Sequence, residues 1–181
     1  MKEAILIQRC IQGDRAAQRW LFDEYYNYVY TIGYRYLNHH QDTEDVVSEV
    51  FRRVYKNLDS VSDTRDQGLK RWIQTITINE ALRFLRQKQP IDYTEDHRLL
   101  ELPINAETTH TLHFDAKIVR KAIQELPIGY RTIFLLNTVE GLSHTEIAKH
   151  LNISRNTSKS QMLKAKKYLQ NKLNKDASRQ F

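Results

Sequence analysis

Apolar residues recur at helical spacing over roughly the first ninety positions and again over the last seventy, and between them the periodicity stops. Trp20, Leu21, Tyr25, Tyr28, Val29 and Ile32 lie on a predicted helix that Asp14, placed after Gly13, can cap. The next stripe is the most regular in the chain. Val46, Val47, Val50, Phe51, Val54, Tyr55 and Leu58 follow as adjacent pairs four apart, predicting an amphipathic helix with Asp42 as its cap and Glu44 and Asp45 in its first turn, at the positive end of the helix dipole.

The segment LKRWIQTITINEALRFLRQKQ is ambiguous, because TITI alternates like a strand while Trp72, Ile73, Ile76, Ile78, Leu82, Phe84 and Leu85 would surround a straight helix. A largely buried helix is expected, since the chain offers no second strand for it to pair with. Positions 89 to 113 then carry two prolines, several turn formers and the acids Asp92, Glu95, Asp96, Glu101 and Glu107 against one arginine, so they read as an acidic, extended linker. The expectation is an all-α protein with two small helical domains, 1–88 and 114–175, joined by that linker and followed by a tail at 176–181.

In the second half, Ile118, Val119, Ala122 and Ile123 begin the helical pattern again, and GYRTIFLLNTVEG continues it up to Gly141, the expected left-handed stop. Ser143 and Glu146 have capping-box spacing, so a short helix starts at His144. It carries Ile147, Ala148 and Leu151, then turns at Asn152 and Ile153 before Ser154 caps a second helix. Two helices joined by so few residues cross steeply, with the small Ala148 allowing close approach; this is a helix-turn-helix. On its second helix Ser158, Met162, Ala165, Leu169 and Leu173 share one stripe, and Asn156, Ser160, Lys164 and Lys167 fall opposite.

Charge changes the picture here. The chain as a whole carries a formal +6, and its pI is near 9.4. Between Gly141 and Lys175, eight lysines and arginines face Glu146 alone, so the cationic excess is concentrated on the helix-turn-helix. Such a concentration suits phosphate contact, and a helix fits the B-DNA major groove, where Asn, Ser, Thr, Lys and Arg near its start reach base edges. Cys10 is the only cysteine, which excludes an intrachain disulfide and a Cys-rich zinc site. No apolar run approaches the roughly 20 residues of a membrane helix, and a soluble, cytoplasmic chain is expected. His39, His40 and Asp42, or His144 and His150, lack the further ligands a metal site needs, so no enzyme chemistry and no cofactor is expected.

The stretch ELPIGYRTIFLLNTVEGLSHTEIAKHLNISRNTSKSQMLKAKKYL resembles the promoter-reading C-terminal domain of bacterial sigma factors of the extracytoplasmic-function (ECF) group. DTEDVVSEVFRRVYKNL resembles that group's polymerase-gripping helix, and RWIQTITINEALRFLRQK its −10 element-binding segment. The three motifs stand in the family's order, with a linker between them. The resemblance implies that Asp45, Glu49, Arg52 and Arg53 lie on or beside a surface for core RNA polymerase. It places Lys70, Arg71, Asn79, Arg83 and Arg86 along the single-stranded −10 DNA. The −35 duplex would be read by Arg155, Asn156, Thr157, Lys159, Ser160, Lys164 and Lys167.

The linker would thread the polymerase channel that later carries RNA, and an anti-sigma protein is a possible partner of a chain expected to be monomeric when free. The sequence departs from the family at Arg83, commonly acidic, at Asn152, usually glycine, and at Ser158, usually aliphatic, where its hydroxyl could bond the carbonyl four residues back. A helix-turn-helix regulator that is not a polymerase subunit, and a helical adaptor, are the alternatives.

Overall fold

A computed structural model of the protein describes residues 3–61, 68–88 and 115–177. Among these residues every regular element is helical, and the chain divides into two compact units, Met1–Pro90 and Ile91–Phe181. The linker expected at 89–113 lies outside the described residues, except that the helix before it stops at Lys88.

The first unit contains α1 (Glu3–Ile11), α2 (Arg15–Leu37), α3 (His40–Lys56), a 3-10 turn (Leu58–Ser60) and α4 (Gly68–Lys88). Asp14 caps α2 as its sequence position suggests, accepting from the amides of Ala16 and Ala17 at 2.9 and 3.2 Å. The helix ends at Asn38, whose left-handed backbone (φ 52°) lets its amide bond the Tyr34 carbonyl. Only two residues join α2 to α3, so the two helices lie against each other. Gly33 permits this: a Cβ there would come within 3.3 Å of Thr43 Cγ2. Val29, Ile32 and Tyr36 of α2 close over Val46, Val47, Val50 and Val54 of α3, and α4 completes the core with Leu69, Ile73, Ala81, Leu82 and Leu85.

Three expectations change in this unit. The cap of α3 is His39, three residues before the expected Asp42, and its Nδ1 accepts from the Asp42 amide at 3.4 Å. Asp42 instead sits in the first turn, and its carboxylate takes the Lys88 ammonium from the end of α4 at 2.5 and 2.7 Å; Glu44 and Asp45 consequently fall beyond that turn. Trp20 points outward, 44% exposed. The TITI stretch is helical, as expected, but α4 is buried along one side only, with Trp72, Ile76, Ile78 and Phe84 half-buried. Its β-branched residues are mediocre helix formers, and packing of Leu69, Ile73 and Thr77 against α2 and α3 overrides that preference.

The second unit contains α5 (Ala116–Gln124), α6 (Ile128–Thr138), α7 (His144–Leu151) and α8 (Arg155–Ala177). Ala122, Leu126, Tyr130, Ala165 and Leu169 form one core cluster, and Ile133, Leu136, Ile147 and Met162 are buried beside it. Arg131, 4% exposed, donates from Nη1 to the Gln124 carbonyl at 2.7 Å, so a guanidinium satisfies the end of α5. Helix α6 stops at Thr138, before Gly141, which has the expected left-handed backbone (φ 73°) and turns the chain so that the Leu142 amide reaches the Leu136 carbonyl. Helix α8 runs to Ala177, two residues past the expected domain end.

Candidate nucleic-acid and polymerase interfaces

The helix-turn-helix forms through a series of local satisfactions. Ser143 accepts from the Glu146 amide at 3.3 Å while the Glu146 carboxylate accepts from the Ser143 amide at 2.8 Å, closing the capping box. The serine hydroxyl and amide hold the Glu146 carboxyl below the usual carboxylate range. Asn152 takes the left-handed conformation (φ 54°, ψ 48°) that the family's glycine would supply, and the amides of Asn152 and Ile153 both reach the Ala148 carbonyl. Ser154 then caps α8 by accepting from the Thr157 amide at 2.9 Å. With the backbone so occupied, the first turns of α8 are free to present side chains.

Ser158 is fully buried in the seam between α7 and α8. Its hydroxyl does not bond back to its own helix as expected; it meets His144 Nδ1 at 2.9 Å, tying the first residue of α7 to the second helix. Burial, and then the charges of Lys159, Arg155 and Lys166, push the His144 imidazole below its ordinary pKa. Arg155, Asn156, Lys159 and Ser160 are exposed along α8, Thr157 is half-buried beneath Ser154, and Lys164 and Lys167 are half-buried. Lys166, absent from the expected set, is exposed. The faces of α8 are therefore rotated slightly from the expected assignment: its outward arc is centred nearer Lys159 than Lys164.

In the first unit the expected residues fall into two groups. Lys70, Arg71, Asn79 and Arg86 are exposed along α4, with Lys70 Nζ resting 4.9 Å from the Tyr28 ring centre. Arg83 is engaged elsewhere: its Nε donates to Glu80 Oε2 at 2.8 Å, and its Nη2 stands 3.6 Å from Glu49. Glu49 in turn accepts from Arg52 at 2.7 Å and Arg53 at 3.0 Å, and Arg53 also pairs with Glu80 at 2.9 Å.

An alternating chain of charges thus connects α3 to α4, and it joins residues expected on two different surfaces. Hydrogen bonds from Arg52 foremost, and then from Arg53, lower the Glu49 carboxyl to about 2. Asp45 is exposed nearby on α3. Glu80, 3% exposed, was not among the expected site residues, although its place one turn before Arg83 was a readable signal.

Among the described residues no group of three or more His, Cys, Asp or Glu could hold a metal ion. His39 serves as a helix cap, and His40 lies in α3 against the rings of Tyr30 and Tyr34. No helix among them is long and apolar enough to cross a membrane.

Residues 21–91 match the family model of sigma-70 region 2, and residues 116–169 that of sigma-70 region 4. Over 179 residues the chain is 28% identical to the ECF RNA polymerase sigma factor SigW of Bacillus subtilis, covering 92% of this chain and 94% of that protein. The chain belongs to the ECF group of sigma factors. Another relative, the ECF RNA polymerase sigma-E factor of Haemophilus influenzae, is 26% identical and covers 96% of each chain. Among solved structures, CnrH in complex with the cytosolic domain of CnrY aligns with a TM-score of 0.51 at 20% identity, over 97% of this chain and 99% of that one, which establishes a shared fold. For this sigma factor the region 2 match removes the alternative of a regulator that merely uses the same C-terminal domain.

Proposed function

We propose that this sigma factor divides promoter recognition between its two units, with Asp45, Glu49, Arg52 and Arg53 of α3 meeting core RNA polymerase. The exposed edge of α4, through Lys70, Arg71, Asn79 and Arg86, takes the unpaired −10 strand; Arg83 contributes from inside the ion chain, its charge already shared with Glu80. An unstacked base needs a hydrogen-bonding partner and a cationic path for its backbone, and Asn79 and Arg86 offer these on one helix. Helix α8 reads the −35 duplex with Arg155, Asn156, Thr157, Lys159 and Ser160 foremost and Lys164 and Lys167 flanking. The observation carrying this reading is the occurrence of regions 2 and 4 in one chain, in that order, with exposed cationic and amide side chains on both α4 and α8.

As a sigma factor the protein directs promoter-specific initiation and is not itself a catalyst. The segment 89–113 acts as the tether between the two units, so that once one is bound the other acts at a raised effective concentration. The free chain is a monomer in the cytoplasm, available to an anti-sigma protein; a sigma factor of the same fold, RpoE of Bartonella quintana, has been solved with its anti-sigma factor NepR. The test combines the purified chain with core polymerase on genomic DNA and maps transcript starts. New, discrete start sites are expected, and start sites identical with and without the chain reject the reading.

A further inference from the structure

Leu163 is 54% exposed on α8, and no expectation from the sequence assigned it a place. A lone surface leucine needs no explanation in itself. Its surroundings give this one significance, because every other exposed side chain of α8 between Arg155 and Gln170 is cationic or carries an amide or hydroxyl. Leu163 follows Lys159 and Ser160 by four and three residues and precedes Lys167 by four, so it shares their face. The same spacing continues back from Lys159 and Ser160 to Arg155 and Asn156. The buried residues Ser158, Gln161, Met162, Ala165 and Leu169 occupy the other side of the helix. An apolar side chain therefore stands in the middle of the strip that would enter the major groove.

Among the groups a base pair shows in that groove, one is apolar: the thymine C5-methyl. We infer that Leu163 is a specificity-determining residue that packs on the 5-methyl group of a thymine in the −35 element. The lysines and Arg155 hold the helix against phosphates whatever the sequence, whereas Leu163 favours one base at one position. Cytosine at that position offers no methyl group, and a purine on that strand presents polar edge atoms that the leucine would desolvate without bonding. The inference rests on the proposed reading of α8 as the −35 helix.

The experiment uses holoenzyme assembled from the full chain and core polymerase. A −35 duplex is first selected from a random-sequence library, and each thymine is then replaced singly by deoxyuridine, which removes only the methyl group. Wild-type holoenzyme should lose about four-fold in affinity at one thymine, the effect of one buried methyl group. L163A should bind the unmodified duplex about as weakly as wild type binds that substituted one, and should show no further loss there. Leu163 is more than half exposed, so L163A removes little packing, and L163Q provides a second variant of similar length that should likewise lose the deoxyuridine sensitivity.

A selected element without a fixed thymine, or equal tolerance of deoxyuridine at every position, overturns the inference, as does L163A retaining the full deoxyuridine sensitivity. K159A distinguishes the methyl recognition from the placement of α8 on the duplex. If it weakens duplex binding while the methyl effect is missing, the role of Leu163 alone falls; if neither K159A nor L163A changes duplex binding, the reading of α8 falls with it. Lowered holoenzyme yield with unchanged DNA binding would assign Leu163 to a protein interface and overturn the inference as well.

Discussion

The Glu80 carboxylate accepts from Arg83 Nε at 2.8 Å on its own helix and pairs with Arg53 on the neighbouring one at 2.9 Å, while remaining 3% exposed. Two guanidiniums share one buried anion. Removing a partner from a fully buried ion pair costs roughly 3–5 kcal/mol. Both arginines here are about two-fifths exposed and partly hydrated. Glu80→Gln is therefore expected to destabilise the chain by about 2 kcal/mol, less than a fully buried pair. Urea unfolding followed by tryptophan fluorescence, from Trp20 on α2 and Trp72 on α4 of the same unit, measures this, and an unchanged midpoint would mean the pairing is energetically idle.

Glu49 gives the same chain a pH signature. Its carboxyl is lowered from the ordinary 4.5 to about 2, foremost by the hydrogen bond from Arg52. A depressed folded-state pKa contributes stability that is fully present above the unfolded value and is lost as pH falls through the folded one. The Glu49 contribution should thus fade between pH 4.5 and about 2. Comparing the stability of wild type and Glu49→Gln across that range, the variant should show the shallower decline.

His144 titrates in the more physiological window. Its imidazole pKa lies below 6.5, chiefly through burial, so protonation favours the unfolded chain. Stability of the α7–α8 pair is greatest above pH 6.5 and decreases as pH falls below it. Amide hydrogen exchange of Ile147 and Leu151 in the full chain, corrected for the intrinsic pH effect, should reveal faster opening at pH 5.5 than at 7.5. His144→Asn should flatten that difference.

Arg155 and Lys159 are the exposed cations at the start of α8, whereas Lys164 and Lys167 are half-buried. Alanine at Arg155 or Lys159 is expected to weaken −35 duplex binding on all sequences and to reduce the slope of log affinity against log salt by about 0.9 for each phosphate that is no longer neutralised. Filter binding at several salt concentrations reads both effects, and polymerase association should persist.

Asn79→Ala should change base preference at one −10 position without altering −35 duplex binding. Transcription from a promoter library randomised over the −10 element measures it. An unchanged preference at every position would restrict Asn79 to solvent.

The local chemistry of this chain was readable from the sequence wherever one residue's role depended on near neighbours. The capping box at Ser143 and Glu146, the left-handed Asn152, the Ser154 cap and the Asp14 cap all took their expected places. The apolar stripe of α3 was equally clear, because six of the seven residues that repeat one spacing lie on it, and the seventh, Leu58, is buried in the 3-10 turn that follows rather than on the helix. Long-range partners were less legible. That Asp42 serves Lys88 rather than capping a helix, that Ser158 meets His144, and that Arg83 is neutralised by Glu80 and Glu49 all depend on which helices become neighbours. Helical periodicity also fixes a face only to within a residue or so, which is why Lys164 and Lys167, expected on the outward side of α8, are half-buried while Lys159 and Leu163 are exposed.

Gly33 touches none of the surfaces proposed for polymerase or promoter, yet it packs against the helix that carries the first of them. With only hydrogen opposite Thr43 Cγ2, α2 allows α3 to settle close enough that Thr43, whose hydroxyl bonds back to the His39 carbonyl of its own helix, remains wholly enclosed. A methyl group there would stand 3.3 Å from Thr43 Cγ2, so the Thr43 side chain or the two helices would have to give by a few tenths of an ångström. The row proposed for polymerase thus rides on a helix whose seat against its neighbour leaves no room for even one added carbon without a shift.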